Sequence, residues 1–147
     1  MADVVCALSH HDPKRVKAAA KMIKEQCADV PANRVAYAAV RAIPSLVDAL
    51  RAHPDHAGVQ EKVCRALCYI CIKKEANEVC RSCQNINKSL FDDMMVLCVI
   101  QIAIREAGGI DLILLASKNH NANVNVQDAV CWVLRNLSIN ASNGVSL

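Results

Sequence analysis

Four cysteines in the middle of the chain have the spacing of a metal or redox site. Cys68 and Cys71 form one Cys-x-x-Cys pair, and Cys80 and Cys83 form a second. Paired thiolates of this kind are common ligands of structural zinc. The gap between the two pairs is shorter than in zinc fingers and zinc ribbons. We therefore expect these residues to be structural thiols, and zinc binding or redox sensing by the four cysteines is the alternative.

No other group of residues has the spacing of a catalytic site. The sequence lacks a Gly-x-Ser-x-Gly elbow, a His-Glu-x-x-His helix and a Gly-x-x-x-x-Gly-Lys loop. The five histidines lie between predicted helices, which favours solvated loop residues over a metal cluster. They are His10, His11, His53, His56 and His120. We therefore predict that the protein is not an enzyme and holds no cofactor or metal.

The composition favours a helical protein of a reducing compartment. The 147 residues include four glycines, four prolines and nine cysteines, and 54% of them are apolar. So few turn-forming residues argue against sandwiches and barrels. The net charge of +3 is too small to indicate a nucleic-acid partner. The longest apolar stretch, residues 94–104, is shorter than the roughly 20 residues of a membrane span. We expect a cytoplasmic protein, with the nucleus as the alternative, because no secretory signal is visible.

The chain contains an internal repeat. Residues 43–71 align without a gap with residues 110–138, at a constant spacing of 67 positions. Apolar residues recur every three or four positions in both stretches, as in amphipathic helices. A second match pairs residues 32–35 with residues 76–79 at a spacing of 44. An insertion of 23 residues at 80–102, either an extra helix or a segment added by an alternative transcript, reconciles the two spacings.

These matches predict an all-α fold made of stacked units. Each complete unit should contain a short, a medium and a long helix, and neighbouring units should bury the apolar faces that one unit leaves exposed. The predicted divisions are a partial first repeat at 1–31, a second repeat at 32–75, a third repeat at 76–140 and the start of a truncated fourth at 141–147.

The third unit resembles an armadillo repeat. The strings IREAGGIDLILLASKNH and NVQDAVCWVLRNLS are similar to that family's E-A-G-G-I-x-x-L opening and its V-Q-x-x-A helix ending in L-x-N-L. The second unit follows the pattern from Ile43 onward but has Arg41 and Ala42 in place of the glycine pair. The two-helix HEAT repeat is the nearest rival. The resemblance implies a right-handed α-solenoid of about three armadillo-like units plus a C-terminal stub.

The resemblance also implies a binding surface on the long helices. In several armadillo proteins, a Trp and an Asn four residues later hold an extended peptide on the concave side of the solenoid. Trp132 and Asn136 match that pattern and share a helix face. The equivalent residues of the second unit are Arg65 and Tyr69, so a repeated Trp/Asn ladder is absent from the sequence. We expect these four residues to line the groove, and packing of Trp132 against a further unit is the alternative.

The function implied by the resemblance is that of a non-catalytic scaffold. Its partner would be an extended peptide or another protein, and we expect no nucleic-acid partner and no membrane span. Two alternatives stay open at this point. The chain could be a structural subunit that stacks end to end with another subunit, or a fragment of a longer armadillo protein.

Overall fold

A computed structural model describes residues 1–30, 32–72 and 98–138, and every regular element within these ranges is a helix. The prediction of an all-α chain is therefore confirmed for this part of the protein. The helices are α1 (Ala2–Cys6) with a 3-10 turn at Ala7–Ser9, α2 (Pro13–Asp29), α3 (Asn33–Ala39), α4 (Ala42–Ala52), α5 (Ala57–Cys71), α6 (residues 98–106), α7 (Gly109–Asn119) and α8 (Val124–Ser138).

The helices recur at the spacing of the sequence repeat. Both ends of α7 lie 67 positions after those of α4, and both ends of α8 lie 67 positions after those of α5. The first residue of α2 lies 44 positions before that of α5. Residues at these spacings are called equivalent below. The predicted start of a fourth unit at 141–147 lies outside the described residues.

The three long helices are neighbours in chain order. Helix α5 packs against α2 on one side and α8 on the other, and the medium helices α4 and α7 also touch each other. One cluster of buried apolar side chains runs through all three units. Its members are mostly small or branched, such as Ala20, Ile23, Cys64 and Leu67. Such side chains allow long helices to approach closely, so each unit completes the core of the next.

A left-handed residue turns the chain from a short helix into a medium helix in both complete units. Gly108 has a φ of 75°, and the equivalent Arg41 has a φ of 60°. The turn at Gly108 is followed by a close approach, because a Cβ on Gly109 would lie 2.8 Å from the carbonyl oxygen of Ile104. That Cβ would also lie 3.2 Å from Val47 Cγ2 in the preceding unit. The glycine pair therefore provides the turn and the space for the neighbouring unit.

Side-chain amides of the long helices cap the C-terminal ends of the medium helices. Gln60 Nε2 donates to the carbonyl oxygens of Leu50 at 2.9 Å and His53 at 2.7 Å. The equivalent Gln127 Nε2 donates to the carbonyl oxygens at the equivalent positions, residues 117 and 120. The last carbonyl groups of a helix have no partner within the helix, so these amides satisfy them and fix each long helix against its medium helix.

Helix α6 includes the last residues of the predicted insertion. Residues 98–102 are helical and continuous with residues 103–106, and Ile100 and Gln101 are buried. Gln101 Nε2 donates to the carbonyl oxygen of Asn136 at 2.9 Å. The structure therefore places residues 98–102 in the short helix of the third unit. Residues 80–97 of the insertion lie outside the described residues.

Candidate protein-binding surface

Arg65 joins two neighbouring long helices at the surface. Its Nε atom lies 3.0 Å from Glu61 Oε1 on the same helix, α5. Its NH2 atom lies 3.0 Å from Asp128 Oδ2 on α8. Ion pairs near the surface stabilise a protein by roughly 0–1 kcal/mol. Their main effect here is therefore to hold the guanidinium group in a defined position between the second and third units.

Trp132 lies one helical turn after Asp128 and is 46% exposed. The guanidinium carbon of Arg135 lies 5.4 Å from the centre of the Trp132 ring, in cation–π geometry. Tryptophan and arginine are the side chains most often found at energetic centres of protein interfaces. An exposed tryptophan held beside an arginine therefore marks this part of α8 as a candidate contact site.

Tyr69 extends the same surface toward the first unit. Its ring is half-buried, and Lys24 Nζ on α2 lies 5.5 Å from the ring centre. Tyr69 lies one turn after Arg65, so the two side chains are neighbours along α5. The structure thus gives Tyr69, Arg65 and Trp132 partly exposed positions that span α5 and α8. Lys24 and Asp128 also belong to this surface, and the sequence analysis did not predict them. Asp128 lies one turn before Trp132, and Lys24 lies next to the position equivalent to Tyr69.

Asn136 is placed differently from Trp132. It is only 5% exposed, and its Nδ2 atom donates to the carbonyl oxygen of Cys68 at 3.4 Å and to Cys68 Sγ at 3.2 Å. The amide therefore lies between α5 and α8, beneath the exposed surface. To bond to a peptide, Asn136 Nδ2 would have to leave Cys68.

The buried cysteines are thiols within the helical core. Burial raises the pKa of Cys68 and Cys27 to about 11 and that of Cys64 to about 12, and burial also raises the pKa of Cys71. Across residues 1–30, 32–72 and 98–138, no group of three His, Cys, Asp or Glu side chains could hold a metal ion. Cys80 and Cys83 lie outside the described residues.

Cys131 and its equivalent, Cys64, differ in burial. Cys64 is fully buried between α2 and α8, whereas Cys131 is exposed. The reason is that Cys131 lies on the side of α8 opposite α5. No described helix packs on that side, so Cys131 is left uncovered.

The histidines lie at helix ends and in the loops, as expected. His120 Nε2 is 2.9 Å from the carbonyl oxygen of Pro54, so the imidazole links the loops of the second and third units. The equivalent His53 has a buried Nε2 atom without a partner in the described structure. These positions indicate a structural role for His120.

None of the described helices has both the length and the apolarity needed to span a bilayer.

Comparison with known proteins supports the helical-repeat assignment. The chain is similar to Protein aardvark of Dictyostelium discoideum, with 40% identity over 98 residues. The alignment covers 67% of this chain and 11% of aardvark, which is an armadillo-repeat protein. No protein-family model and no solved structure matches the chain. The described part of the chain is therefore all-helical and armadillo-like.

Proposed function

We propose that the protein is a scaffold that binds an extended peptide or a partner protein along the exposed side of its long helices. The observation that carries this proposal is Trp132, which is nearly half exposed and lies beside the ion pair that joins α5 to α8. The finer architecture that we propose is a right-handed solenoid of armadillo repeats, in which these helices line the concave side.

The contacts suggest a division of roles among the predicted groove residues. Trp132 offers a large apolar ring and Arg65 a guanidinium group that is already fixed by two carboxylates. Tyr69 would extend the contact toward α2 through its half-buried ring. Asn136 supports this surface from below through its bonds to Cys68. Preformed side chains lose little conformational entropy on binding, which favours affinity.

The alternative function is that of a structural subunit within a larger assembly. The chain spans about 11% of the length of aardvark, so the whole relative's role is not carried over to it. We propose a cytoplasmic location, with the nucleus as the alternative, and protein rather than nucleic-acid partners. Constitutive co-purification with another protein at fixed stoichiometry would support the structural role over exchangeable peptide binding.

Selection of binders from a peptide library tests the scaffold proposal. Peptides displayed on phage are selected against the full chain, and the Kd of a selected peptide is measured by fluorescence anisotropy. We expect Trp132→Ala to raise the Kd by about 10- to 100-fold, the effect of removing a central interface residue. Leu115→Ala, a change at an exposed apolar residue of α7, is the control and should leave the Kd unchanged.

Two further variants separate groove binding from binding at another surface. Asn136→Ala should lower the stability of the protein, because the hydrogen bonds between α5 and α8 are lost. It should raise the Kd of the peptide only if the Asn136 amide leaves Cys68 when the peptide binds. An unchanged Kd in both Trp132→Ala and Arg65→Ala would show that the selected peptides bind elsewhere, and the groove would then be rejected.

A further inference from the structure

The two ends of the stack expose apolar residues at the positions that are buried between units. Met22 on α2 is 44% exposed, whereas the equivalent residues Ala66 and Val133 are fully buried. At the other end, Cys131 on α8 is exposed and the equivalent Cys64 is fully buried. The exposed side of α2 around Met22 is called the first face, and the exposed side of α8 around Cys131 is called the last face. The two faces have the complementary halves of one repeated interface.

The same pair of positions is joined at both interfaces between long helices. Between α2 and α5, Lys24 lies over the ring of Tyr69. Between α5 and α8, Cys68 accepts hydrogen bonds from Asn136. Cys68 is equivalent to Lys24, and Asn136 is equivalent to Tyr69. The units therefore stack in a constant register, and this register specifies which residues would meet if a further unit packed on the last face.

The first face of a second copy provides charges that match the last face in this register. On the last face, the residue equivalent to Cys68 is Arg135. On the first face, the residue equivalent to Asn136 is Glu25. Stacking would thus bring a cation onto a carboxylate. Glu25 is accessible for this contact because its present ion pair with Lys21 is 3.7 Å long and exposed.

We propose that the protein associates head to tail with a second copy of itself, with the last face of one copy on the first face of the next. Arg135 then pairs with Glu25, and Met22 packs near Cys131. Because the two faces differ, the contact is heterologous and leaves one free face at each end. The association therefore continues to longer assemblies as the protein concentration rises.

The association should be reversible and sensitive to salt. The apolar residues on the two faces are few, and the first face also carries exposed lysines. The charged contacts lie at the edge of the interface, where salt screens them over about 8–10 Å at physiological ionic strength. We expect the average mass in solution to increase with protein concentration and to decrease when salt is added.

Charge reversal at the predicted pair provides the test. Sedimentation equilibrium is measured from micromolar to millimolar concentration for the wild type, Glu25→Arg and Arg135→Glu. Each single variant places like charges at the contact, and we expect its association to weaken at least about tenfold. An equimolar mixture of the two variants restores an opposite-charge contact, because the glutamate introduced at position 135 of one copy meets the arginine introduced at position 25 of the other. We expect this mixture to associate.

A matched control and a second measurement make the result decisive. Arg51→Glu changes an exposed charge on α4 and should associate like the wild type. Thermal unfolding of all variants should match the wild type, since the substituted side chains are exposed. Alkylation of Cys131, followed by mass spectrometry, should slow as the wild-type protein associates.

Several results would overturn the proposal. A wild-type monomer at every concentration would do so. Association that survives both single reversals, or a mixture that stays monomeric, would show that copies do not meet in the repeat register.

Discussion

Replacement of Gln60 should lower the free energy of unfolding more than the same replacement at its equivalent, Gln127. Gln60 is fully buried, and its amide makes two hydrogen bonds to the end of α4, at 2.9 and 2.7 Å. Gln127 makes the two equivalent bonds to the end of α7, at 2.8 and 3.1 Å, but it is partly exposed. Gln127 Oε1 also accepts a hydrogen bond from Ser117 Oγ at 2.8 Å. The internal repeat thus offers the same two donor bonds in two degrees of burial.

The expected losses follow from the cost of unsatisfied buried carbonyl groups. Methionine keeps most of the glutamine volume, so Gln60→Met removes the donors without opening a large cavity. Two net hydrogen bonds contribute about 2 kcal/mol, and an acceptor left buried without a partner costs about 1–3 kcal/mol. We therefore expect Gln60→Met to lower the free energy of unfolding by about 2–4 kcal/mol. Gln127→Met should lower it by about 1–2 kcal/mol, because water can reach the freed carbonyls.

Urea unfolding at equilibrium measures both losses. The transition is followed by circular dichroism and by the fluorescence of Trp132, the only tryptophan in the chain. The slope of the unfolding free energy against urea concentration should be the same in all variants, so that the transition midpoints can be compared. A loss below about 0.5 kcal/mol at Gln60, well under the net value of two hydrogen bonds, would refute the reasoning. A larger loss at Gln127 than at Gln60 would refute it as well.

A carboxylate at position 60 tests the donor requirement separately. Gln60→Glu has nearly the same shape, but an ionised carboxylate cannot donate and would face two carbonyl oxygens. We expect it to be less stable than Gln60→Met at neutral pH. Burial raises the pKa of a carboxyl group above its unfolded value, so the destabilisation should decrease as the pH falls and the acid becomes protonated.

Three further predictions concern the turns and the thiols. Gly109→Ala should destabilise the protein by about 1–3 kcal/mol in urea unfolding, since the new methyl group would meet the carbonyl oxygen of Ile104 at 2.8 Å; an unchanged midpoint would mean that the units separate easily there. Arg41→Gly should raise the stability by up to about 1 kcal/mol, because glycine adopts a φ of 60° without strain; a loss would indicate that the arginine side chain contributes more than its backbone costs. The ordinary pKa of a cysteine thiol is 9.0, and burial raises the pKa of Cys64 to about 12. The stability of the protein should therefore fall as the pH rises between these two values. The thiol is neutral in both states below that range, and only the unfolded state ionises within it. Cys64→Ala should make this decline shallower, and an equal decline would assign it to other groups.

The helices could be predicted from the sequence because their signals are local. The three- and four-residue spacing of apolar residues indicated α5 and α8, and the glycine pair indicated the turn before α7. Arg41 lacked such a signal, yet it adopts the same left-handed turn as Gly108. Packing of α4 in the stack imposes that turn, and an intrinsic cost of about 1–2 kcal/mol can be offset by tertiary contacts.

The first helix of the third unit was harder to define from the sequence. Alignment of residues 76–79 with residues 32–35 assigned residues 98–102 to an insertion. In the structure, Ile100 and Gln101 are buried, and Gln101 is equivalent to Arg34 at the 67-position spacing. Arg34 NH1 donates to the carbonyl oxygen of Ile72, near the end of its own long helix, much as Gln101 donates to Asn136. Such different side chains at one position give no identity to align, although they perform a similar task.

The sequence by itself determined that the chain is helical and at which spacing its helices recur, because periodicity and turn residues act over a few positions. It also singled out Trp132 on α8. Only the tertiary structure decided which side chains remain accessible. Asn136 lies on the same helix as Trp132 but faces α5, and Cys131 has the same residue type as its buried equivalent but is exposed. Burial depends on which neighbour packs against a helix face, and a repeat pattern does not specify whether that neighbour is present.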